Sequence, residues 1–514
     1  MAGTHRRTLS AWRLGVPRPT RGDLFAGVTV AAVVVPQSLA YAQLAGMPPE
    51  RGLLAAVLPP IVAALLASSP YLQTGPVAIT SLLTFGVLST HATPGSERYV
   101  QLGIALAFVV GVARIALGLA RGGVVAYLLS EPAMLGFVQG AALLICLSQV
   151  PTLVGVGAGG DGIVVEAARA LEEPGSWSRS SIAIGVAALA AIVALRRLGP
   201  LVPGVLIVTV LGLLAGMVVD DIATVGPIDV ALPAFDLEEM SSGPLTLYLS
   251  GLVIALVGFA EPAAIARTLA TRERQRWDAD QELVSQGAAN VAAAVSGAFP
   301  VGGSFSRSSL NRAAGATTRL SGAVTGLAVL VALPFVGVLS DLPQAVLAAI
   351  VVLAAASLLR PLSLLRIVRF SLPQAVVCWG TLIATLAFSP DIAWAVLVGI
   401  GLALAVHLGR EMSIDIDTIV NGDRLVFRPR GVMWFVSSSV VEDAFAAALA
   451  ANPGVRRAEI SLRGIGRMDL TGALALRRML HDARSASLDV RIIDMPPRAR
   501  RWTRSLIQSS DDPL

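Results

Sequence analysis

The chain has 514 residues, of which 55% are apolar and only 14% are charged, with a net charge of +5 and a mean hydropathy of +0.73. A soluble domain carries about 25% charged residues, so most of this chain is predicted to lie in a lipid bilayer. Its basic residues are all arginines spread over short loops, which argues against nucleic-acid binding. Two cysteines in apolar runs and four scattered histidines favour neither a disulfide framework nor a metal site.

Apolar segments alternate with short polar joints from about residue 24 to residue 408. A full membrane span needs about 20 residues, and about fourteen segments fit, several of them short or interrupted. This pattern predicts a membrane α-helical fold. The predicted spans are 25–45, 52–68, 76–90, 101–119, 124–148, 180–195, 201–219, 245–264, 281–299, 304–315, 320–339, 343–359, 370–388 and 391–408.

The joints between these spans sort by charge into two alternating sets. Basic loops stay on the cytoplasmic side of a membrane, so the basic set is predicted to lie inside, the acidic set outside, and both termini inside. The basic N-terminal residues 1–22 show no signal-peptide pattern and are predicted to be a cytoplasmic tail. The basic set comprises Arg114, Arg121, Arg196, Arg197, the run 267–276, Arg312, Arg319, Arg360, Arg366 and Arg369. The acidic set comprises residues 161–173, residues 220–239, Asp341 and Asp391.

After His407 the composition becomes that of a soluble domain. Alternation of apolar and polar residues predicts strands, and the intervening stretches have the period of amphipathic helices. Strands that alternate with helices indicate a small α/β domain, which the topology places in the cytoplasm. The predicted strands are 424–431, 457–463 and 488–494, and the predicted helices are 440–451 and 470–485.

Two apolar segments are broken at matching places in the two halves of the chain. The first reads Gln-Thr-Gly-Pro-Val-Ala-Ile-Thr-Ser from Gln73, and the second reads Gly-Gly-Ser-Phe-Ser-Arg-Ser-Ser from Gly302. A break inside a bilayer survives only beside a cavity or a ligand, and paired breaks indicate the binding site of a transporter. The helices that begin after these glycines have positively polarised N-termini, which favour a bound anion.

Arg307, in the second break, places a guanidinium close to the middle of the bilayer. There it needs either an anionic ligand or a structural partner, which would be a carboxylate or backbone carbonyl groups. On the first span, Gln37 and Tyr41 lie four residues apart on one helix face, just after Pro36. These two residues either contact a ligand or belong to a proline kink in which a neighbouring helix satisfies Gln37.

Glu261 is the one carboxylate that falls clearly within a full span. Ionisable residues inside a membrane are functional by default, and two roles remain open for this one: a proton or cation carrier, or a salt-bridge partner of Arg307. In the C-terminal domain, Asp469 and Thr471 lie at the start of the predicted helix 470–485. They either cap that helix, or Thr471 is a regulatory position for phosphorylation or docking.

The two broken segments resemble the signatures of the sulfate permease (SulP, solute carrier 26) family of anion transporters. The first signature extends from Asp23 to Leu83 and includes Pro-Gln-Ser-Leu-Ala-Tyr-Ala from Pro36, and the second extends from Gln281 to Ala316. The C-terminal domain is similar to a STAS domain, although Asp-Leu-Thr-Gly from Asp469 stands where that family often has Asp-Ser-Ser-Gly. This departure puts regulation by phosphorylation in doubt.

The resemblance implies seven plus seven segments in an inverted repeat, with a moving core domain, a gate domain and a homodimer. Gln37, Tyr41, Val77 and Ser306 fall on positions that line the family's pocket, and Val77 replaces a phenylalanine common in animal members. Glu261 falls where relatives carry a carboxylate linked to coupling with H⁺ or Na⁺. Together with the breaks, this predicts substrate-binding residues Gln37, Tyr41, Gly75, Val77, Ala78, Ser304, Phe305, Ser306 and Arg307.

The predicted domains are a tail at 1–22, a transport domain at 23–409 with repeats at about 23–219 and 245–408, a STAS domain at 412–507 and a tail at 508–514. The predicted function is secondary active transport of a small anion, of sulfate, bicarbonate or dicarboxylate type, across a bacterial inner membrane. An anion channel and a membrane sensor that acts through the STAS domain are the alternatives. No nucleophile–base set or phosphate loop appears, so an enzyme is not predicted. No cofactor is implied, apart from co-transported H⁺ or Na⁺.

Overall fold

The computed structural model describes residues 15, 17–123, 130–157, 162–199, 202–219, 221–229, 244–390, 392–412 and 414–495. These residues form two compact units that divide between Leu402 and Ala403. The first unit is almost entirely helical, and the second is a small α/β unit. The predicted tail at 508–514, most of the tail at 1–22 and the start of the predicted span 124–148 lie outside the described residues.

Each of the fourteen predicted spans overlaps a helix or a pair of helices in the first unit. Eight helical stretches among the described residues are long and apolar enough to cross a membrane, and shorter apolar helices accompany them. The helices are α1 (Arg21–Leu44), α2 (Pro49–Leu54), α3 (Leu58–Leu66), α4 (Ala78–Leu88), α5 (Glu97–Leu119), α6 (Glu131–Ser148), α7 (Val150–Val154), α8 (Ile163–Glu172), α9 (Arg179–Leu198), α10 (Gly204–Gly216), α11 (Leu245–Arg272), α12 (Ala279–Val295), α13 (Phe305–Ala313), α14 (Leu320–Ala332), α15 (Gln344–Ala356), α16 (Pro361–Phe370), α17 (Leu372–Ala387) and α18 (Ala393–Met412).

The main departures from the predicted spans are two amphipathic helices in the polar joints. The helix α8 contains Glu166 and Arg169, and α16 contains Arg366 and Arg369 without a single buried residue. A hydropathy average interprets these stretches as charged loops, because their apolar residues recur with helical periodicity and do not form a continuous apolar segment. The predicted span 52–68 is also divided, since α2 ends at Leu54 and α3 begins at Leu58.

The membrane helices pack in two groups. In the first, α12 packs against α5 and α3, and α14 packs against α1 and α3; in the second, α6 packs against α15 and α17, and α9 packs against α10 and α15. Glycines allow α5 and α12 to touch backbone to backbone. A Cβ placed on Gly111 would lie 2.9 Å from the carbonyl oxygen of Gly287, and one on Gly287 would lie 2.8 Å from that of Gly111. Strand β1 (Gln73–Gly75) packs against α3, and α13 packs against α1, so both broken segments lie against the first group.

Both breaks contain short strands that the sequence does not predict. Strand β1 (Gln73–Gly75) pairs antiparallel with β2 (Gly302–Ser304), so that Gln73 lies opposite Ser304 and Gly75 lies opposite Gly302. The two breaks predicted from the halves of the chain are therefore joined by backbone hydrogen bonds. This pairing links the two halves of the helical unit.

The second unit is a mixed sheet with two helices. Its elements are β3 (Asp415–Asn421), β4 (Arg424–Met433), α19 (Phe435–Ala450), β5 (Arg457–Ser461), β6 (Ile465–Met468), α20 (Leu470–Ser485) and β7 (Asp489–Ile493). The strand order is β3-β4-β5-β7, with β6 paired to β4. Apolar residues from the strands and helices, including Phe427, Ile460, Phe445 and Leu476, form its core.

The three predicted strands and two predicted helices of this unit are present, but β3 and β6 are additional. Strand β3 is half-exposed along its length and lies at the edge of the sheet, so it lacks the buried alternation that marks a strand in sequence. The helix predicted from Val440 begins at Phe435, because Ser437 and the backbone of Trp434 cap it at that point. This sheet is consistent with a STAS domain.

Candidate anion site

The candidate site lies where the two broken segments meet. Helix α4 begins at Ala78, just after β1, and α13 begins at Phe305, directly after β2. Because β1 and β2 are antiparallel, the two helices run away from the strand pair in opposite directions and point their N-termini back towards it. The partial positive charges of both helices are thereby directed at one region.

The N-terminal N–H groups of these helices are poorly capped. The N-cap residue of α4 is Val77, which supplies no side-chain hydrogen bond. In α13, the Ser304 hydroxyl accepts from the backbone N–H of Arg307 at 3.5 Å, which is a weak bond. Uncapped N–H groups at a helix start are ready donors for an anion.

Arg307 crosses from the second break to the first. Its side chain is only 1% exposed, and its Nη1 donates to the carbonyl oxygen of Pro76 at 2.8 Å and, more weakly, to Oε1 of Gln37 at 3.5 Å. Its Nε and Nη2 are buried without a hydrogen-bond partner among the described residues. The sequence predicted either a carboxylate or backbone carbonyl groups as structural partners of Arg307. The structure shows one such carbonyl, that of Pro76, and leaves Nε and Nη2 without a partner in the described part of the chain.

Among the other predicted substrate-binding residues, Gly75 and Gln37 lie against this guanidinium. A Cβ placed on Gly75 would lie 3.4 Å from Nη2 of Arg307, so this glycine lies directly against the free nitrogen. Gln37 and Tyr41 are buried on α1, where they follow Pro36. The structure brings the following further residues to the two helix starts: Val77, Ala78 and Ser304, which are buried, and Phe305 and Ser306, which are exposed.

Glu261 is half-buried on α11, immediately before Pro262. Arg307 and Tyr41 are near enough to act on it electrostatically, but among the described residues its carboxylate forms no ion pair with Arg307. The salt-bridge arrangement considered from sequence is thus not the one present. The carboxylate lies beside the candidate site without a fixed partner.

Polar side chains of α12 form hydrogen bonds to both broken segments. Asn290 Nδ2 donates to the carbonyl oxygen of Val301 at 3.0 Å, and its Oδ1 accepts from the N–H of Val301 at 2.9 Å. Gln286 donates to the hydroxyl of Thr74 at 2.8 Å. All of these groups are buried, so α12 fixes both β1 and the segment that enters β2.

The sequence places Arg114 in a cytoplasmic joint, and this assignment is wrong. Helix α5 continues to Leu119, so Arg114 lies more than a turn inside it, and its side chain is fully buried. Its guanidinium donates to the carbonyl oxygens of Ala255 at 3.0 Å, Val301 at 3.2 Å and Ile254 at 3.3 Å. From sequence alone, a single arginine in an apolar helix is interpreted as a loop residue, because the backbone carbonyl groups that accept its hydrogen bonds lie far away in the chain.

Glu261 is also not the only carboxylate buried in the helical unit. Asp23, at the start of α1, and Glu282, at the start of α12, are both fully buried. Asp23 Oδ1 accepts from the N–H groups of Thr317 and Thr318 at 2.8 Å each. Glu282 Oε2 accepts from the N–H groups of Ser69 at 2.8 Å and Ser68 at 3.2 Å. Both carboxylates fix loops rather than face the helix starts of the candidate site.

The two candidate regulatory residues belong to the second unit. Asp469 Oδ1 accepts from the N–H of Gly472 at 2.8 Å and so caps α20. Thr471 is exposed in the first turn of that helix. Capping therefore accounts for Asp469, and regulation through Thr471 stays a prediction.

Residues 20–381 match the model of the sulfate permease family. The chain belongs to the sulfate permease family. A probable sulfate transporter of Mycobacterium tuberculosis is 34% identical over 416 residues, which cover 78% of this chain and 74% of the relative. The sulfate permease family consists of transporters and not of enzymes, and this chain is an anion transporter that crosses the membrane several times.

Two solved structures share the fold of this sulfate permease family member. The murine solute carrier 26 family member A9 anion transporter superposes with a TM-score of 0.83 at 18% identity and covers 96% of this chain and 88% of its own. The transmembrane domain of the cyanobacterial bicarbonate transporter BicA superposes with a TM-score of 0.66 at 22% identity, over 76% of this chain and 100% of its own. The predicted membrane fold with a small C-terminal α/β domain is thereby confirmed.

Proposed function

We propose that this protein is a secondary active transporter that carries a small anion across a bacterial inner membrane by alternating access. The observation that carries the proposal is the buried Arg307 guanidinium between two helix N-termini, whose Nε and Nη2 have no hydrogen-bond partner among the described residues. Leaving buried donors of a charged group unsatisfied is costly, and an anion bound at this place satisfies them. The predicted substrate-binding residues around Gly75 and Ser304 then form the walls of the site.

Coupling to a cation follows from the energetics of anion entry. The interior of a bacterium is negative, and about 2.3 kcal/mol per charge per 100 mV opposes the uptake of an anion. One proton or sodium ion that binds with the substrate cancels this cost for a monoanion and halves it for a dianion such as sulfate. Glu261, half-buried beside the site and without an ion pair to Arg307 in the described part of the chain, is the residue that we assign to this co-transported ion.

The substrate class comprises sulfate, bicarbonate and small dicarboxylates. Sulfate is the first to test, because the Mycobacterium tuberculosis relative, at 34% identity, is described as a probable sulfate transporter. We also propose that both termini are cytoplasmic, as the basic and acidic loops predict, and that the protein is a homodimer, as the family resemblance implies. In this arrangement the STAS domain, at about residues 412–507, lies in the cytoplasm.

The test is uptake of labelled sulfate, bicarbonate and fumarate into proteoliposomes that contain the purified full-length protein. We expect saturable uptake that an imposed proton or sodium gradient drives above equilibrium. Flux that does not saturate and never exceeds equilibrium would identify a channel. Anion binding to the purified protein without any flux, under any gradient, would instead identify a sensor.

A further inference from the structure

Arg114 is a second arginine buried in the helical unit, and it has no role in the transport function proposed above. Its side chain is fully buried, and its three hydrogen bonds all go to backbone carbonyl oxygens, those of Ile254, Ala255 and Val301. It forms no ion pair with an acidic side chain of the described residues. Among the described residues, the positive charge of Arg114 is therefore balanced only by the dipoles of backbone carbonyl groups.

The three acceptors lie on the two elements that flank the anion site. Ile254 and Ala255 belong to α11, the helix that also carries Glu261, and Val301 precedes β2 directly. Arg114 itself is on α5, so its guanidinium ties α5, α11 and the second break together. A shift of α11 along β2 requires at least one of these bonds to break.

Gly258 on α11 has both the Arg114 guanidinium and the first turn of α4 as close neighbours. A Cβ placed on Gly258 would lie 2.6 Å from Nη2 of Arg114 and 3.4 Å from Cγ2 of Thr80. A Cβ placed on Gly302 would lie 3.5 Å from the same Thr80 methyl and 3.1 Å from Cγ2 of Val77. Gly258 therefore has Arg114 and Thr80 as neighbours, and Gly302 has Thr80 and Val77, so Arg114 is linked through these glycines to the start of α4.

We propose that Arg114 is a positioning residue of the anion site: it fixes the Glu261-bearing helix against the second break and supplies a positive charge that the bound anion neutralises. The inference rests on the proposed binding of an anion at the two helix starts. A buried charge that lacks a counter-ion is costly, and carbonyl dipoles offset only part of that cost. Occupation of the site by a negative ion offsets more of it.

The charge of the substrate distinguishes this role from simple packing. Coulomb energy is proportional to the charge of the ion, so removal of the Arg114 charge should weaken binding of a dianion more than binding of a monoanion. A loss of about tenfold for sulfate then corresponds to about threefold for bicarbonate. A purely structural defect would weaken both anions by the same factor.

The experiment measures dissociation constants of sulfate and bicarbonate for the purified full-length protein, with uptake into proteoliposomes as a second readout. The variants are Arg114→Gln, Arg114→Lys and the matched control Arg121→Gln, which removes an exposed arginine seven residues further along the chain. Arg114→Gln is expected to show the unequal loss. Arg114→Lys keeps the charge but cannot reach three carbonyls, so we expect near-normal selectivity with slower uptake. The control should match the wild type.

A second pair of variants tests the same contact without removing the charge. Gly258→Ala places a methyl group against Nη2 of Arg114 and should weaken sulfate binding severalfold. In the Arg114→Gln background, the same Gly258→Ala change should add little, because the crowded group is gone. If Arg114→Gln fails to fold, as gel filtration would show, Gly258→Ala alone keeps the proposal testable: unchanged sulfate binding in that variant would contradict it.

Two results would overturn the role of Arg114: equal losses for both anions in Arg114→Gln, or unchanged sulfate binding in Arg114→Gln. Additive effects of Gly258→Ala and Arg114→Gln would contradict the contact itself. Arg307→Gln separates this failure from failure of the proposed site. If Arg307→Gln abolishes binding while Arg114→Gln leaves it intact, only the inference about Arg114 is wrong; if both leave it intact, the anion does not bind at the two helix starts.

Discussion

Arg307 donates from Nη1 to the carbonyl oxygen of Pro76 at 2.8 Å, so a side chain from the second broken segment reaches the break of the first. The bond spans 231 positions of sequence. It holds the guanidinium in place through one nitrogen and leaves two others free. An anion that binds there meets a charge that is already oriented, and little ordering cost remains at the moment of binding.

The first prediction concerns this guanidinium. Arg307→Gln should weaken sulfate binding by about tenfold or more, because a hydrogen bond to a charged group contributes about 1.5–3 kcal/mol. Arg312→Gln is the matched control, since Arg312 is on the same helix but pairs with Glu273 away from the site. Labelled-sulfate binding to the purified variants is the measurement. Equal behaviour of the two variants would remove Arg307 from the site.

The second prediction concerns the backbone of the first break. Gly75 has φ +154°, a conformation that L side chains rarely adopt, and it lies against the free Nη2 of Arg307. Gly75→Ala should therefore lower anion affinity as well as stability, with strain of about 1–3 kcal/mol. Gly95→Ala provides the control, because Gly95 also has a positive φ, +78°, with no neighbouring atom within 4 Å. Sulfate affinity should fall only in the first variant.

The third prediction concerns coupling. If Glu261 carries the proton that accompanies the anion, uptake should decrease as the external pH rises, and Glu261→Gln should remove this dependence because glutamine imitates the protonated carboxyl group. The variant should still exchange labelled sulfate across the membrane but should no longer accumulate it. Uptake at several pH values, with and without sodium, is the measurement. A wild-type pH profile that persists in Glu261→Gln would exclude this role.

The fourth prediction concerns pocket size. Val77 is the N-cap residue of α4 and stands where animal members commonly have phenylalanine. A larger ring at the helix start leaves less space, so Val77→Phe should reduce fumarate uptake more than sulfate uptake. Competition between the two anions for labelled-sulfate uptake measures this ratio. An equal loss for both anions would mean that the residue does not select by size.

The fifth prediction concerns the clamp at Asp23, by which we mean the hydrogen bonds from the backbone of Thr317 and Thr318 to its carboxylate. Its carboxylate joins the start of α1 to Thr317 and Thr318, and it is fully buried. Asp23→Asn should lower the melting temperature of the protein, with a loss of about 2 kcal/mol for the weakened charged bonds. Asp221→Asn, in an exposed loop, should leave the melting temperature unchanged. A similar melting temperature for both variants would show that the clamp does not stabilise the fold.

Hydropathy and the placement of glycine and proline were sufficient to predict the membrane helices and the two breaks. These are local properties: an apolar run of about 20 residues partitions into a bilayer whatever its neighbours are, and Gly75-Pro76 interrupts a helix by itself. Sequence was also sufficient for the family, because the two signature segments are long and specific. The placement of Gln37 and Tyr41 on one face followed from helical periodicity.

Only the tertiary structure decided how these parts combine. The register of β1 on β2, the free nitrogens of Arg307 and the burial of Arg114 each depend on groups far apart in sequence, and the bond from Arg114 to Val301 spans 187 positions. A charged residue in an apolar helix has the same local sequence pattern whether its side chain reaches solvent at a loop or donates to buried backbone carbonyl groups. The physical reason is that local sequence sets which segments enter the membrane, whereas the distant acceptors around a buried charge set where that charge lies.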